Sequence, residues 1–170
     1  MTKLLLSLSL IAAVAVVPVF AQENGPQEIL AKHLKTSRDF TVKVAEAMPA
    51  ADYGFKLTPP QMSFGEQLVH LAQSLDYFIA TLQGEKANPA KVDPTNKEAV
   101  IAFIKAQYDK AIAEASKITP EQLHKTYQGE EGSQTGVELL LGMFDHSTHH
   151  RASAEMYLRA KGIKPPEYEY

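Results

Sequence analysis

The run FDHSTHHRASAEMYLRAKGIKPP, Phe144 to Pro166, brings His146, His149 and His150 together within a stretch that otherwise has the pattern of an amphipathic helix. Imidazole is a mediocre helix former and fills an apolar stripe less well than leucine, so the cluster adds nothing to helix stability. What it adds is chemistry: a neutral ring nitrogen accepts protons or binds a divalent metal. Residues four apart on a helix lie about 40° apart around its axis. His146 and His150 therefore share a face with Leu139, Met143 and Tyr157, and His149 falls to the other side with Asp145 and Met156. Two imidazoles one turn apart can converge on one ion at about 2.0–2.1 Å. They can equally sit as hydrogen-bonded polar groups at the edge of a core, so the pair alone leaves both readings open.

A third donor is available in SFGEQLVHLAQSLDYFIATLQG, where His70 borders the apolar stripe and has Gln67, Ser74 and Tyr77 on its own side. Neutral imidazoles gathered in an apolar seam strand donors or acceptors, whereas one divalent cation satisfies three of them together. His70, His146 and His150 are therefore the expected metal ligands. His33 is a reserve ligand, although its neighbours Lys32 and Lys35 favour a solvated position, and His124 belongs to a single Glu-x-x-His after Pro120. A di-iron bundle needs two such copies and further inward carboxylates, which the stripes of the first and third helices lack. The expected site is mononuclear and all-histidine.

Three neutral ligands leave the ion its full charge and open coordination positions, which suits Lewis-acid activation of water or of a thiol. Tyr77 and Tyr157 are the candidate hydrogen-bond donors to a substrate; no carboxylate falls beside the ligands to serve as a base. Imidazole accommodates zinc, nickel, copper and iron alike. The enzyme reading is a metal-dependent hydrolase or transferase on a small electrophile. The non-catalytic reading is sequestration of a metal or small ligand, with the ion tying two helices together.

The elements that must position these groups follow from periodicity and caps. Ile29, Leu30, Leu34, Phe40, Val44 and Met48 mark a first helix from Pro26 to Met48. In the loop PAADYGFKLTPPQ, Tyr53, Phe55 and Leu57 alternate as though one side were packed down. A capping box, Ser63 with Glu66, opens the second helix, which carries Phe64, Leu68, Leu71, Leu75, Phe78 and Leu82 and stops at Gly84. Thr95 with Glu98 predicts a second box, opening a third helix whose stripe runs Val100, Ile104, Tyr108, Ala111, Ala115, Ile118. After the irregular passage TPEQLHKTYQGEEGSQTG a fourth helix is expected from about Val137 to Lys161, closed by Gly162 and Pro165. Four long helices without a strand pattern predict an all-α four-helix bundle, of either up-down or crossover connectivity.

MTKLLLSLSLIAAVAVVPVFA has the basic start, apolar run and small-x-small end of a secretory signal, so residues 1–21 are expected to be removed and residues 22–170 to form a single domain. The apolar run, Leu4 to Val17, is shorter than the roughly 20 residues that span a bilayer. Cysteine is absent, which excludes disulfides and a lipid-modified cysteine. A periplasmic or secreted protein is expected, with no membrane attachment after cleavage. The net charge of −3, one unit more negative without Lys3, gives no electrostatic footprint for nucleic acid.

With ADYGFKLTPPQMSFGEQLVHLAQS around His70 and HSTHHRASAEMYLRAKGIKPP from His146, the chain resembles the DinB-like (DinB/YfiT) family of metal-binding four-helix bundles across its mature length. The specific elements are Ser-x-Gly-Glu-x-x-x-His and His-x3-His-Arg followed by Tyr-Leu-Arg-x-x-Gly-x-x-Pro-Pro. The resemblance implies a metal triad at His70, His146 and His150, with zinc or nickel and then iron as the metal, and a thiol-dependent transferase or isomerase activity where members are enzymes. It also implies pairing into homodimers, for which the face of His149, Asp145 and Met156 is available, a solvated surface being the other reading. Where family members often carry glycine and glutamine after the arginine, this chain has Ala152 and Ser153.

Overall fold

The computed structural model describes residues 25–129 and 132–168. The expected signal segment lies outside the described residues. Helix α1, Pro26–Ala47, has proline at its first turn, where the missing N–H costs nothing, and it ends as the chain approaches Pro49. Leu34, Phe40, Val44 and Met48 are buried as expected, but Ile29 is half exposed. A short 3-10 turn, Ala50–Asp52, follows. Tyr53 is fully buried, with its hydroxyl donating to the Ala45 carbonyl at 2.8 Å, and holds the loop against the bundle. Leu57, read as packed, lies on the surface.

Helix α2, Phe64–Gln83, opens with the expected capping box: the Ser63 hydroxyl accepts from the Glu66 N–H, and the Glu66 carboxylate accepts from the Ser63 N–H at 2.6 Å. The backbone N–H of Ser63 is the main reason the Glu66 carboxyl sits below its ordinary range. Gly84, at φ 74°, terminates α2 in the left-handed region that glycine adopts without steric cost. Helix α3 spans Lys97–Ala115, and its expected stripe is buried from Val100 to Ile118. Its cap differs from the expectation. Asn96, not Thr95, accepts from the Ala99 N–H, and Thr95 turns back to donate to Asp93 from both its N–H and its hydroxyl. Asparagine is the better cap, and it lies one residue closer to the helix.

The passage before the last helix holds structure that the periodicity did not predict. Helix α4, Pro120–His124, carries its own box from Thr119 and Gln122. Strands β1, Thr126–Gly129, and β2, Gly132–Thr135, pair antiparallel from Thr126↔Thr135 to Gly129↔Gly132. Helix α5, Gly136–Ala160, begins with a further capping box, Thr135 with Glu138. Replacing the Thr135 hydroxyl in Thr135→Ala is expected to lower the unfolding free energy by ~1 kcal/mol, read by urea denaturation, because the Glu138 N–H loses its acceptor.

The connectivity is a crossover. Gln27 reaches the Ile118 carbonyl and Lys97 the Met48 carbonyl, so α1 and α3 run antiparallel. Gly65 abuts Pro94, Lys110 pairs with Asp76 and Gln83 bonds Glu114, so α2 and α3 run parallel. The 20 residues of α2 cover about 30 Å. Residues 84–96 must retrace that distance, and they do so along the helix itself: Asp76 accepts from the Asn88 N–H at 3.1 Å, and Gln73 donates to the Ala90 carbonyl. Helix α5 lies antiparallel to α2, with Gln67 bonding His150 and the Tyr157 hydroxyl donating to the Met62 carbonyl. The core therefore sits between two antiparallel pairs, α1 with α3 and α2 with α5, and no helix among the described residues is long and apolar enough to cross a membrane.

Candidate metal centre

The antiparallel seam of α2 and α5 brings His70 opposite His146 and His150. Their ring centroids form a triangle of 5.0, 4.6 and 4.5 Å, and one ring nitrogen from each lies within 4.8 Å of the others. Tetrahedral binding at about 2.0–2.1 Å needs nitrogens roughly 3.4 Å apart. The structure thus gathers the three residues that the sequence singled out. His33 lies elsewhere, edge-on to Phe144 at 6.3 Å, and His124 is exposed on α4. His149 is exposed, with its ring 4.9 Å from that of His150 but outside the convergent set.

The donor chemistry fits a cation. His150 is buried, and its Nδ1 lies 2.6 Å from Gln67 Oε1. An amide oxygen only accepts, so Nδ1 carries the proton and Nε2 keeps its lone pair for the cluster. Burial, and then the neighbouring His146, His70 and His149 rings, push the His150 pKa down to about 4. The ring is therefore neutral at physiological pH, the form that binds metal. Gln67 is itself buried on α2, one turn before His70. Gln67→Leu, which removes the acceptor at similar volume, is expected to weaken metal binding about 10–100-fold in a chelator competition titration, while Gln67→Glu, which keeps an acceptor, stays near the parent.

A cavity of about 390 Å³ opens beside His70 and His146. Gln73, Ser74, Tyr77 and Phe78 of α2 form one wall, Ala87 and Pro89 of the crossover segment a second, and Gln134 of β2 a third. The Ser74 hydroxyl donates to the Leu71 carbonyl at 2.7 Å. No aspartate, glutamate, lysine or arginine lines the cavity among the described residues. Phe78 fits here because Gly142 faces it; a Cβ at that position would meet the ring at 3.3 Å.

Of the two tyrosines expected as donors, Tyr77 lines the cavity and Tyr157 does not. Tyr157 is buried two turns past His150, its hydroxyl committed to the Met62 carbonyl and its ring set against Phe55 and Phe64. A helical face extends the length of the helix, whereas the cavity occupies only part of it. Gln134 is the site residue that periodicity missed. Its signal was the Gly-Glu-Glu-Gly turn between two short polar runs, a hairpin pattern too brief to register as strands.

The sequence matches the DinB family over residues 22–170. No curated protein sequence matches it. Among solved structures it is similar to a DinB-like protein from Bacillus subtilis, 23% identical with a TM-score of 0.71, covering 83% of this chain and 97% of that one. A DinB-like protein from Bacillus cereus is 16% identical at a TM-score of 0.65, over 82% and 95%. A DinB family member from Shewanella denitrificans is 15% identical at 0.57, over 83% and 86%. At these identities the three structures support the all-α bundle.

Proposed function

The chain belongs to the DinB family, and from that premise we propose that it is an exported protein with a mononuclear divalent-metal site at His70, His146 and His150, acting as a metal-dependent hydrolase or thiol-dependent transferase. The observation that carries this reading is the convergence of three ring nitrogens from two helices within 4.8 Å. Zinc or nickel, and then iron, are the metals we propose, each compatible with an all-imidazole donor set. An ion held by His70, His146 and His150 would supply Lewis acidity to a substrate carbonyl, to water or to a thiol.

The chain's own residues do the rest. Gln67 holds the His150 ring in its ligating tautomer. Tyr77 and Gln134 offer a hydroxyl and an amide to a substrate oxygen in the cavity, and Phe78 with Pro89 supplies apolar walls. The described lining, which carries no formal charge, favours a small neutral electrophile over a phosphate or carboxylate substrate. The secretory pattern of residues 1–21 supports action in the periplasm or outside the cell. An exposed face with His149, Asp145 and Met156, the last 56% exposed, suits a homodimer contact.

That no carboxylate among the described residues lines the cavity beside the ligands favours a second reading, an envelope protein that binds a metal or small ligand without turnover. Elemental analysis of protein taken from its native compartment, followed by assays of stripped and reloaded protein on neutral ester, amide and epoxide probes with and without a small thiol, separates the two. Turnover that returns with the metal is expected for the enzyme. One ion per chain with no turnover supports the binding protein, and no stoichiometric metal under any loading condition rejects both.

A further inference from the structure

Helix α5 carries a second buried ionisable group immediately after His150. Arg151 is only 5% exposed and lies toward α1, with its guanidinium 4.8 Å from the Phe40 ring centre. It donates to the Ser37 hydroxyl at 2.8 Å and to the Thr148 hydroxyl at 3.4 Å. No carboxylate among the described residues comes within ion-pair distance of it; Glu155, one turn further along α5, lowers its energy only at longer range. An arginine is seldom buried without an anionic partner, because hydroxyls replace its hydration incompletely and use only part of its five-donor fork.

The space in front of Arg151 is a cavity of about 350 Å³, with Thr36, Ser37, Thr148 and Tyr168 as its hydroxyl lining. A second cavity of about 350 Å³ continues along the α1–α5 seam, lined by Ile29, Leu30, Ile118, Leu140 and Leu141. His33 and Phe144 line both. Leu141 is 60% exposed and Ile29 50%, so the apolar trough faces solvent. From Arg151 back to Val137, which lines its far end, the seam runs about 21 Å at the rise of an α-helix. A buried cation with no carboxylate partner among the described residues at one end, and an aliphatic trough at the other, are complementary to a single kind of molecule.

We propose that this seam is a second ligand site, separate from the histidine cluster, for a monocarboxylate with an aliphatic chain. The carboxylate pairs with the open edge of the Arg151 guanidinium, helped by the Thr36 and Thr148 hydroxyls, and the chain lies along Leu140, Leu141 and Ile29 toward Val137. A carboxylate matches one guanidinium fork, whereas a phosphate dianion calls for a second cation, and among the described residues Arg151 is the only arginine or lysine lining the cavity. The proposal does not depend on metal at the histidines.

Calorimetric titration of the protein with dodecanoate, dodecanol and acetate tests it. Dodecanoate is expected to bind saturably at one per chain. Dodecanol and acetate are expected to bind at least about tenfold more weakly, since each lacks one half of the recognition. Arg151→Met is expected to lose at least about tenfold in dodecanoate affinity while keeping the parent's metal content and circular dichroism. Should that variant fail to fold, Thr148→Val and the exposed Leu141→Asn carry the test, each expected to weaken dodecanoate severalfold. The proposal is overturned by no saturable dodecanoate binding, by equal affinity for dodecanoate and dodecanol, or by unchanged binding in the variants. It is also overturned if sedimentation shows a dimer that Leu141→Asn dissociates, which makes the trough a self-contact, or if binding appears only after residues 169–170 are deleted, which makes the chain's own carboxylates the partner of Arg151.

Discussion

His146→Ala is expected to abolish stoichiometric metal binding and to leave the bundle folded. The side chain sits at the open edge of the cluster, next to the cavity, so its loss trims the site without emptying the core. Two imidazoles remain, and an ion held by two instead of three loses well over the ~10–100-fold that removing an outer hydrogen-bond partner alone costs. The expected result is one ion per parent chain, a trace per variant chain, and matching circular dichroism spectra. A thermal readout sharpens this. Metal at a hundredfold above its dissociation constant stabilises the parent by about 2.7 kcal/mol. At this chain length that raises the melting midpoint by roughly 5–11 °C, an increment that the variant lacks. A variant with the parent's metal content and the parent's metal-dependent midpoint shift would remove His146 from the ligand set.

Gly65→Ala is expected to be the most destabilising conservative change in the chain. A Cβ built at Gly65 falls 1.8 Å from the Pro94 carbonyl oxygen and 2.8 Å from its carbon, with a Tyr53 ring atom at 3.2 Å. Backbone, not a pliable side chain, occupies that space, so the crossover segment must move away from α2. Overpacking of this kind costs ~3 kcal/mol or more, which corresponds to roughly 6–12 °C in melting midpoint. The same segment supplies Ala87 and Pro89 to the cavity wall. Metal content is therefore expected to persist, because His70, His146 and His150 lie on helices that do not depend on Pro94, while ligand access changes. A melting midpoint equal to the parent's would show that the close approach of Gly65 and Pro94 does not exist in solution.

Much of the histidine cluster was legible in the sequence alone. His146 and His150 share a face because they are four residues apart on a helix, and His70 was marked by an imidazole beside an apolar stripe. Both inferences use information confined to a few turns of one helix. Gln67 lay on the same flank as His70, but its pairing with His150 spans 83 positions and depends on how α2 meets α5. Tyr157 shows the opposite outcome. The wheel puts it on the histidine face, yet packing against Phe55 and Phe64 and a hydrogen bond to Met62 take it out of the site.

The sequence by itself determined the four long helices, the capping box of α2, the buried stripe of α3 and the histidine pair of α5, because caps, periodicity and proline or glycine stops act between near neighbours in the chain. Only the tertiary structure decided the parallel run of α2 and α3, the hairpin that delivers Gln134, the choice of Asn96 as a cap, and the seam where Arg151 lies beside Ser37. These depend on contacts between residues tens of positions apart. Which of several locally acceptable arrangements persists is settled by burial and hydrogen bonding summed over the whole bundle, and no short window of sequence carries that sum.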